Sequence, residues 1–342
     1  MCTVTKANVV YHISNLSEDD NMTRQKPKKD SLVDFTRKYA NDEEACYDFF
    51  FHARYPEGYI CEKCGCSHFR KITRHRVAMC TECGHQQYLF AGTIFQDNKL
   101  PLYKLLLGLY LFFTSNKGIS AIEMKSQLNV NYKTALLLCR KCRVLMSESN
   151  SRHTLDSMFY EADTAYIGSQ SKGENCQGLA TEQQPFLAIL STGEENRYPH
   201  FLKLFPIPVD NGDMMCRFIE KSVKLSKKRV LNTDGKTTFN TLSGKVSLKN
   251  VKIDYKKNHR LHWLNIAIGN VKNHITGIYH GVSKRDLPLF LQEQAYRFNH
   301  RFTGAEIMRK VSGYITRSIP CTKKMISYVL DTALPFFSPT CV

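Results

Sequence analysis

The chain lacks an uninterrupted apolar stretch long enough to cross a bilayer. Its longest, residues 100–113, is broken by Lys104 and falls short of the roughly 20 residues a spanning helix needs, so no membrane partner is expected. The first thirty residues contain no apolar core of the kind a secretory signal carries. Acidic side chains are few: 31 Asp and Glu stand against 48 Lys and Arg, a formal net charge of +17. That deficit favours a polyanionic partner. Paired cysteines are also few. Of the thirteen, seven (Cys2, Cys46, Cys66, Cys176, Cys216, Cys321 and Cys341) offer no second paired spacing. Cys139 and Cys142 do form a CxxC, but it lies inside a helical pattern, and they read as core or surface thiols. Many cysteines without a secretory signal point to a reducing compartment. Apolar residues, by contrast, are plentiful. At 42% of 342 residues they suffice for two or three domains with buried cores and exclude a wholly disordered chain.

The remaining four cysteines form two CxxC pairs, Cys61/Cys64 and Cys80/Cys83, with fifteen residues between them. Each pair can turn back and place both sulfurs on one ion at about 2.3 Å, so the spacing predicts a tetrahedral four-thiolate zinc site of the ribbon type. The basic, alternating segment 69–79 between them predicts a hairpin. The alternative is a set of free thiols or two separate redox pairs.

Residues 1–30 are polar and read as a mobile tail, whose Lys26-Pro27-Lys28-Lys29 is a solvated run or a phosphate or import contact. Ser31 and the segment 41–44 signal two helix starts, and Phe49, Phe50 and Phe51 supply aromatic mass to pack on the ribbon. Helices are then expected from Pro101 to about 114, over 121–128 and over 132–146, with a tight turn at 129–131. Helix, short helix, three-residue turn and longer helix is a helix-turn-helix pattern. Its last helix would offer Lys133 and Thr134 at its start and Arg140, Lys141 and Arg143 further along to DNA; a plain packing module is the alternative. From 157 the pattern changes to strands at 157–168, 185–190, 201–207 and 229–235. A loop is expected over 170–184 and helices over 214–225, 261–278 and 287–298. This alternation predicts an α/β layer with a mixed sheet.

Asp163 and Asp234 each fall at the end of an apolar strand. Neighbouring carboxylates so placed can share divalent ions in two-metal phosphoryl transfer; two ordinary turn aspartates are the alternative. A third ligand from a packed helix would be Asn265 or Glu293. Lys272, seven residues after Asn265, lies on the same helix face and could meet a DNA phosphate.

Taken in order, the ribbon, AGTIF (91–95), KLPL (99–102), GISAIEMKSQLNVNYKTA (118–135), EADTAYIG (161–168), TDG (233–235), HWLNIAIGNVKNHITGIYHGVSK (262–284) and AYRFNHRF (295–302) resemble the ISXO-type insertion-sequence transposases, relatives of Merlin transposons. The resemblance spans about residues 40–305. It implies an RNase H-like DDE-type core in which Asp163 and Asp234 are the first two catalytic acids and bind Mg²⁺ or Mn²⁺. Asn265 stands at the third position, often Glu, and Lys272 at the lysine that follows. It also implies a cytoplasmic, prokaryotic, DNA-associated protein that binds double-stranded DNA at element ends and target as a homodimer or larger assembly. The expected organisation is a tail (1–30), helical lead-in and zinc ribbon (31–97), helix-turn-helix-type module (98–150), core (151–302) and C-terminal helical segment (303–342). Two departures stand out. Asn265 replaces an acid, and Thr164 stands where many members carry a second acid. A catalytically inactive, zinc-ribbon DNA-binding descendant of a transposase is the rival reading, and a nuclease that cuts without joining is another.

Overall fold

The computed structural model describes residues 30–168, 183–193, 198–207, 212–235, 237–250 and 261–331. The expected tail with its Lys26–Lys29 run lies outside these residues, as do nearly all of the loop expected over 170–184 and the stretch 332–342.

Two short helices lead in. Helix α1 (Leu32–Tyr39) starts at a capping box in which Ser31 and Asp34 satisfy each other's backbone. Helix α2 (Glu43–Arg54) is capped by Asp42, whose side chain accepts from the Ala45 N–H. The ribbon follows as an antiparallel sheet of β1 (Phe69–Ile72), β2 (Val77–Cys80) and β3 (Gln86–Tyr88). The Phe49–Phe51 run serves as anticipated: Phe51 stacks on Phe69 of β1 with ring centroids 4.7 Å apart, and Phe50 packs edge-on against Phe90. A ribbon this small has little core of its own, so α2 supplies one face of it.

Helix α3 (Leu102–Thr114) is apolar on most sides because it is surrounded. Gly108 lets it approach its neighbours, since a Cβ there would stand 2.6 Å from Leu138 Cδ2. Helix α4 (Ala121–Leu128) is capped by Ser120 and ends at Asn129 in the left-handed region, φ 47°. Asn131 then caps α5 (Tyr132–Ser151), its side chain accepting from Thr134 N. The anticipated turn is therefore present, and α5 runs five residues beyond the expected end at 146.

The second half is a five-stranded sheet of β4 (Phe159–Ile167), β5 (Gln184–Thr192), β6 (Pro199–Pro206), β7 (Val230–Thr233) and β8 (Ser247–Asn250), in the order β6-β5-β4-β7-β8. The β4–β5 and β5–β6 pairs are antiparallel, while β4–β7 and β7–β8 are parallel. This is a mixed α/β sheet consistent with an RNase H-like core. β5 is apolar on both faces and buried along its length, as a strand covered on two sides must be. One face carries α6 (Gly212–Ser222), which packs on Tyr160, Ala162, Leu187 and Ile189. The other carries α7 (His262–Tyr279) and α8 (Leu287–Asn299), packed on Ala165, Ile167, Ala188 and Leu190.

Helix α8 belongs to two cores. Leu291 and Ala295 face the sheet, whereas Leu289 and Tyr296 join the core built by α2, α3 and α5. Helices α9 (Ile307–Arg317) and α10 (Lys323–Asp331) follow. Ile307, Val311 and Ile315 of α9 pack into that same N-terminal core, so the end of the described chain returns to its beginning. No helix among the described residues is long and apolar enough to cross a membrane.

Candidate functional site

The four ribbon cysteines converge. Cys61 Sγ lies 3.6 Å from Cys83 Sγ and Cys64 Sγ 3.5 Å from Cys80 Sγ, and all four sulfurs lie within 4.8 Å of one another. Tetrahedral zinc at about 2.3 Å from each sulfur would space them about 3.8 Å apart, so the set fits the ion. The two halves repeat one turn. Gly65 N–H donates to Cys61 O and Cys61 N–H to Cys66 O; Gly84 N–H donates to Cys80 O and Cys80 N–H to His85 O. Each turn needs a residue at positive φ, supplied by Gly65 (75°) and Gly84 (66°).

The turns also set the thiol chemistry. Burial opposes ionisation of Cys61, but the Cys64 and Lys63 N–H groups outweigh it and bring the thiol down to about 6. The Cys83 N–H lowers Cys80 against burial. Cys64 moves the other way, to about 12: the Cys66 N–H favours its thiolate, but neighbouring Cys83, burial and Cys80 prevail. Four thiols this close ionise together only around a cation.

In the core, β4 alternates its side chains between the two helical layers. Ala165 and Ile167 face α7, so Glu161 and Asp163 share that face. The parallel register pairs Glu161 with Asn232 and Ala162 with Thr233. Continued two residues beyond the Glu161 pair, it sets Asp163 beside Asp234, just past the last residue of β7. Adjacent strands run about 4.8 Å apart. Both aspartates are half-buried; Asp163 lies within β4, opposite Ala188 of β5, rather than at the strand's end as expected, and the Thr164 N–H orients it through a 2.6 Å bond to Oδ1. A pair of carboxylates so aligned is a donor set suited to divalent cations. Asn265 and Lys272 are both exposed on α7, whose buried stripe of Leu264, Ala267, Ile268, Val271 and Ile275 packs on the same sheet face.

Glu161 was not anticipated from sequence. It is 1% exposed, its Oε2 accepts from the Leu264 N–H at 2.8 Å, and its Oε1 has no partner among the described residues. Burial pushes this carboxyl up to about 7 despite the Leu264 bond. The available signal was an acid two residues before Asp163, on the same strand face.

Of the helix-turn-helix residues, Lys133 is exposed and Thr134 half-buried. With Arg140 and Lys141 they line a groove of about 470 Å³, joined by Lys99 and Lys323. Arg140 also pairs with Asp286 at 2.9 Å, and Lys141 Nζ donates to Ile94 O at 2.6 Å. Arg143 corrects the expectation of a DNA contact. Its side chain is 3% exposed and pairs with Glu293 at 2.7 Å, beneath the Phe290 ring, so it cannot reach a phosphate. Glu293 likewise is not available as a third metal ligand. It is fully buried and held by Arg143, Arg297 and the Tyr279 hydroxyl.

Comparison with known families gives two matches. A transposase zinc-ribbon domain covers residues 41–86, and an ISXO2-like transposase domain covers residues 157–299. Both matches are domains of the IS1595-type transposases. No curated protein matches the chain. The chain thus pairs a zinc-ribbon domain, whose cysteine cluster suits a metal, with a transposase-family core. The core match contains Asp163, Asp234, Asn265 and Lys272, and the ribbon match all four clustered cysteines.

Proposed function

We propose that this chain binds the terminal inverted repeats of its element and carries out metal-dependent phosphodiester cleavage followed by strand transfer. The observation that carries this reading is the register of β4 and β7, which pairs Glu161 with Asn232 and Ala162 with Thr233 and, continued by one residue, would set Asp163 beside Asp234. Asp163 and Asp234 would hold Mg²⁺ or Mn²⁺, with Asn265 contributing a neutral carbonyl oxygen at the third position. Bound divalent ions supply Lewis acidity and charge neutralisation at the phosphodiester. Lys272 binds a DNA phosphate beside the carboxylates and fixes the strand. A water molecule displaces the 3′-oxygen of the DNA at the element end, and the freed 3′-hydroxyl attacks a target phosphodiester. The target strand's 3′-oxygen departs in that second step.

The ribbon and the start of α5, through Lys133 and Thr134, position the duplex by contacts to phosphate and base edges; the net charge of +17 favours such binding. Two ends must meet, so a homodimer or larger assembly forms on DNA.

The test is strand transfer by purified protein on labelled duplexes carrying the DNA ends that flank the gene, in Mg²⁺ and in Mn²⁺. Joined products from wild type and none from Asp163→Ala or Asp234→Ala support the reading, and joining by both variants refutes it. Asn265 is the observation that favours the second reading, a DNA-binding remnant. Binding without cleavage in either metal would establish that one, while cleavage without joined target would establish a nuclease.

A further inference from the structure

We infer that Glu161 is a positioning residue of this site. Its carboxylate anchors the first turn of α7 to the central strand and so sets where Asn265 and Lys272 stand relative to Asp163 and Asp234. The inference rests on the reading of those four residues given above.

Among the described residues, helix α7 has no side-chain cap of its own. Leu261 at its N-cap offers no side-chain acceptor, although the first N–H groups of any helix need partners. Glu161 supplies one from another element, through the Leu264 N–H at 2.8 Å, in buried surroundings where such a bond is strong. Negative charge at a helix start is favourable as well. A local Ser, Thr or Asp at position 261 would do the same with no buried acid. A buried Glu with one oxygen unpartnered among the described residues is a poor way to stabilise a fold unless the tie itself matters.

What it ties together is specific. Glu161 lies two residues before Asp163 on the same strand face, and its register partner Asn232 lies two residues before Asp234. The residue that it holds on α7, Leu264, directly precedes Asn265. One side chain thus joins the strand that carries the first acid to the helix that carries the third position and the lysine. The apolar stripe of α7 sets its rotation against the sheet, but apolar contacts tolerate sliding along the axis. The far half of the helix is tied to α8 by His274 with Gln294 and by Tyr279 with Glu293. The near half is tied to the sheet by Glu161.

The test compares Glu161→Gln, Glu161→Asp and Glu161→Ala with wild type and Asp163→Ala, all as full chains. It reads cleavage of labelled end DNA in Mg²⁺, DNA binding by mobility shift, and melting temperature. The Gln oxygen still reaches the Leu264 N–H; the Asp keeps its charge but falls short by a methylene. The expected order is Gln near wild type, with Asp and Ala slower by about 10²-fold, as an ångström-scale misplacement costs, at unchanged DNA affinity. The Gln and Asp variants decide the matter if the Ala variant does not fold. The reverse order, Asp active and Gln inactive, would make Glu161 a direct ligand and overturn the positioning role. Wild-type rates from the Asp and Ala variants while Asp163→Ala is dead overturn this inference alone. Wild-type cleavage by Asp163→Ala overturns the active-site reading and this inference with it.

Discussion

Glu148 of α5 is a further buried acid, with Oε2 unpartnered among the described residues. Burial pushes its carboxyl from 4.5 up to about 7, against a weaker pull from Arg152. The folded chain therefore holds this proton more tightly than the unfolded chain does. Its contribution to stability is complete below about 4.5 and is lost as pH rises through about 7. Glu148→Gln removes that loss. We expect the variant to be more stable than wild type at pH 8 by about 1–3 kcal/mol and nearly equal to it at pH 4.5, read as urea midpoints. A constant difference across that range would show that Glu148 is not titrating there.

At the scale of elements, the ribbon depends on its ion and on α2. Its strands are four, four and three residues long, too short to hold without a staple. Chelating the zinc is expected to unfold residues of about 55–95 and to lower DNA affinity, while the helical and sheet cores keep their circular dichroism. Apo protein with unchanged dichroism and unchanged binding would contradict a structural zinc. The spacing of the cysteines made this element legible, because two-residue gaps and one ion leave little freedom. α5 was legible in a different way. The turn at 129–131 and the helical pattern after it were local signals, but the fates of Arg140, Lys141 and Arg143 were not. Three basic residues within one turn point in different directions, and only the helices and loops packed around α5 decide which stay in water.

Across the whole molecule, the joint between the helical module and the core is a buried charge cluster. Arg143 from α5 and Arg297 from α8 both bind Glu293. Arg297 also donates to the carbonyls of Phe112 and Ser115, at and just past the end of α3. Burial alone would raise the Glu293 carboxyl, but the two guanidiniums hold it below its ordinary range. Glu293→Ala leaves two cations in a dry interface and is expected to cost about 3–5 kcal/mol in urea unfolding. Combining Glu293→Leu with Arg143→Met should recover part of that loss. Little effect from Glu293→Ala would mean that the joint is wet or dispensable. Because α8 sits in two cores, we expect the loss to appear in the unfolding of both halves.

Local chemistry determined much on its own: the four-thiolate site from its spacing, the helix starts at Ser31 and Asp42 from their capping side chains, and the strand end before Asp234 from an apolar run closed by Asp-Gly. These are short-range effects, written within a few residues of where they act. Long-range packing decided the rest. The register that pairs Ala162 with Thr233, and so brings the residues that follow them together, depends on strands some seventy residues apart. The burial of Arg143 and Glu293 depends on helices 150 residues apart, and the bond from Glu161 to α7 spans 103 residues. No local pattern encodes such contacts, because an acid or a base looks the same in sequence whether water or a second helix lies above it.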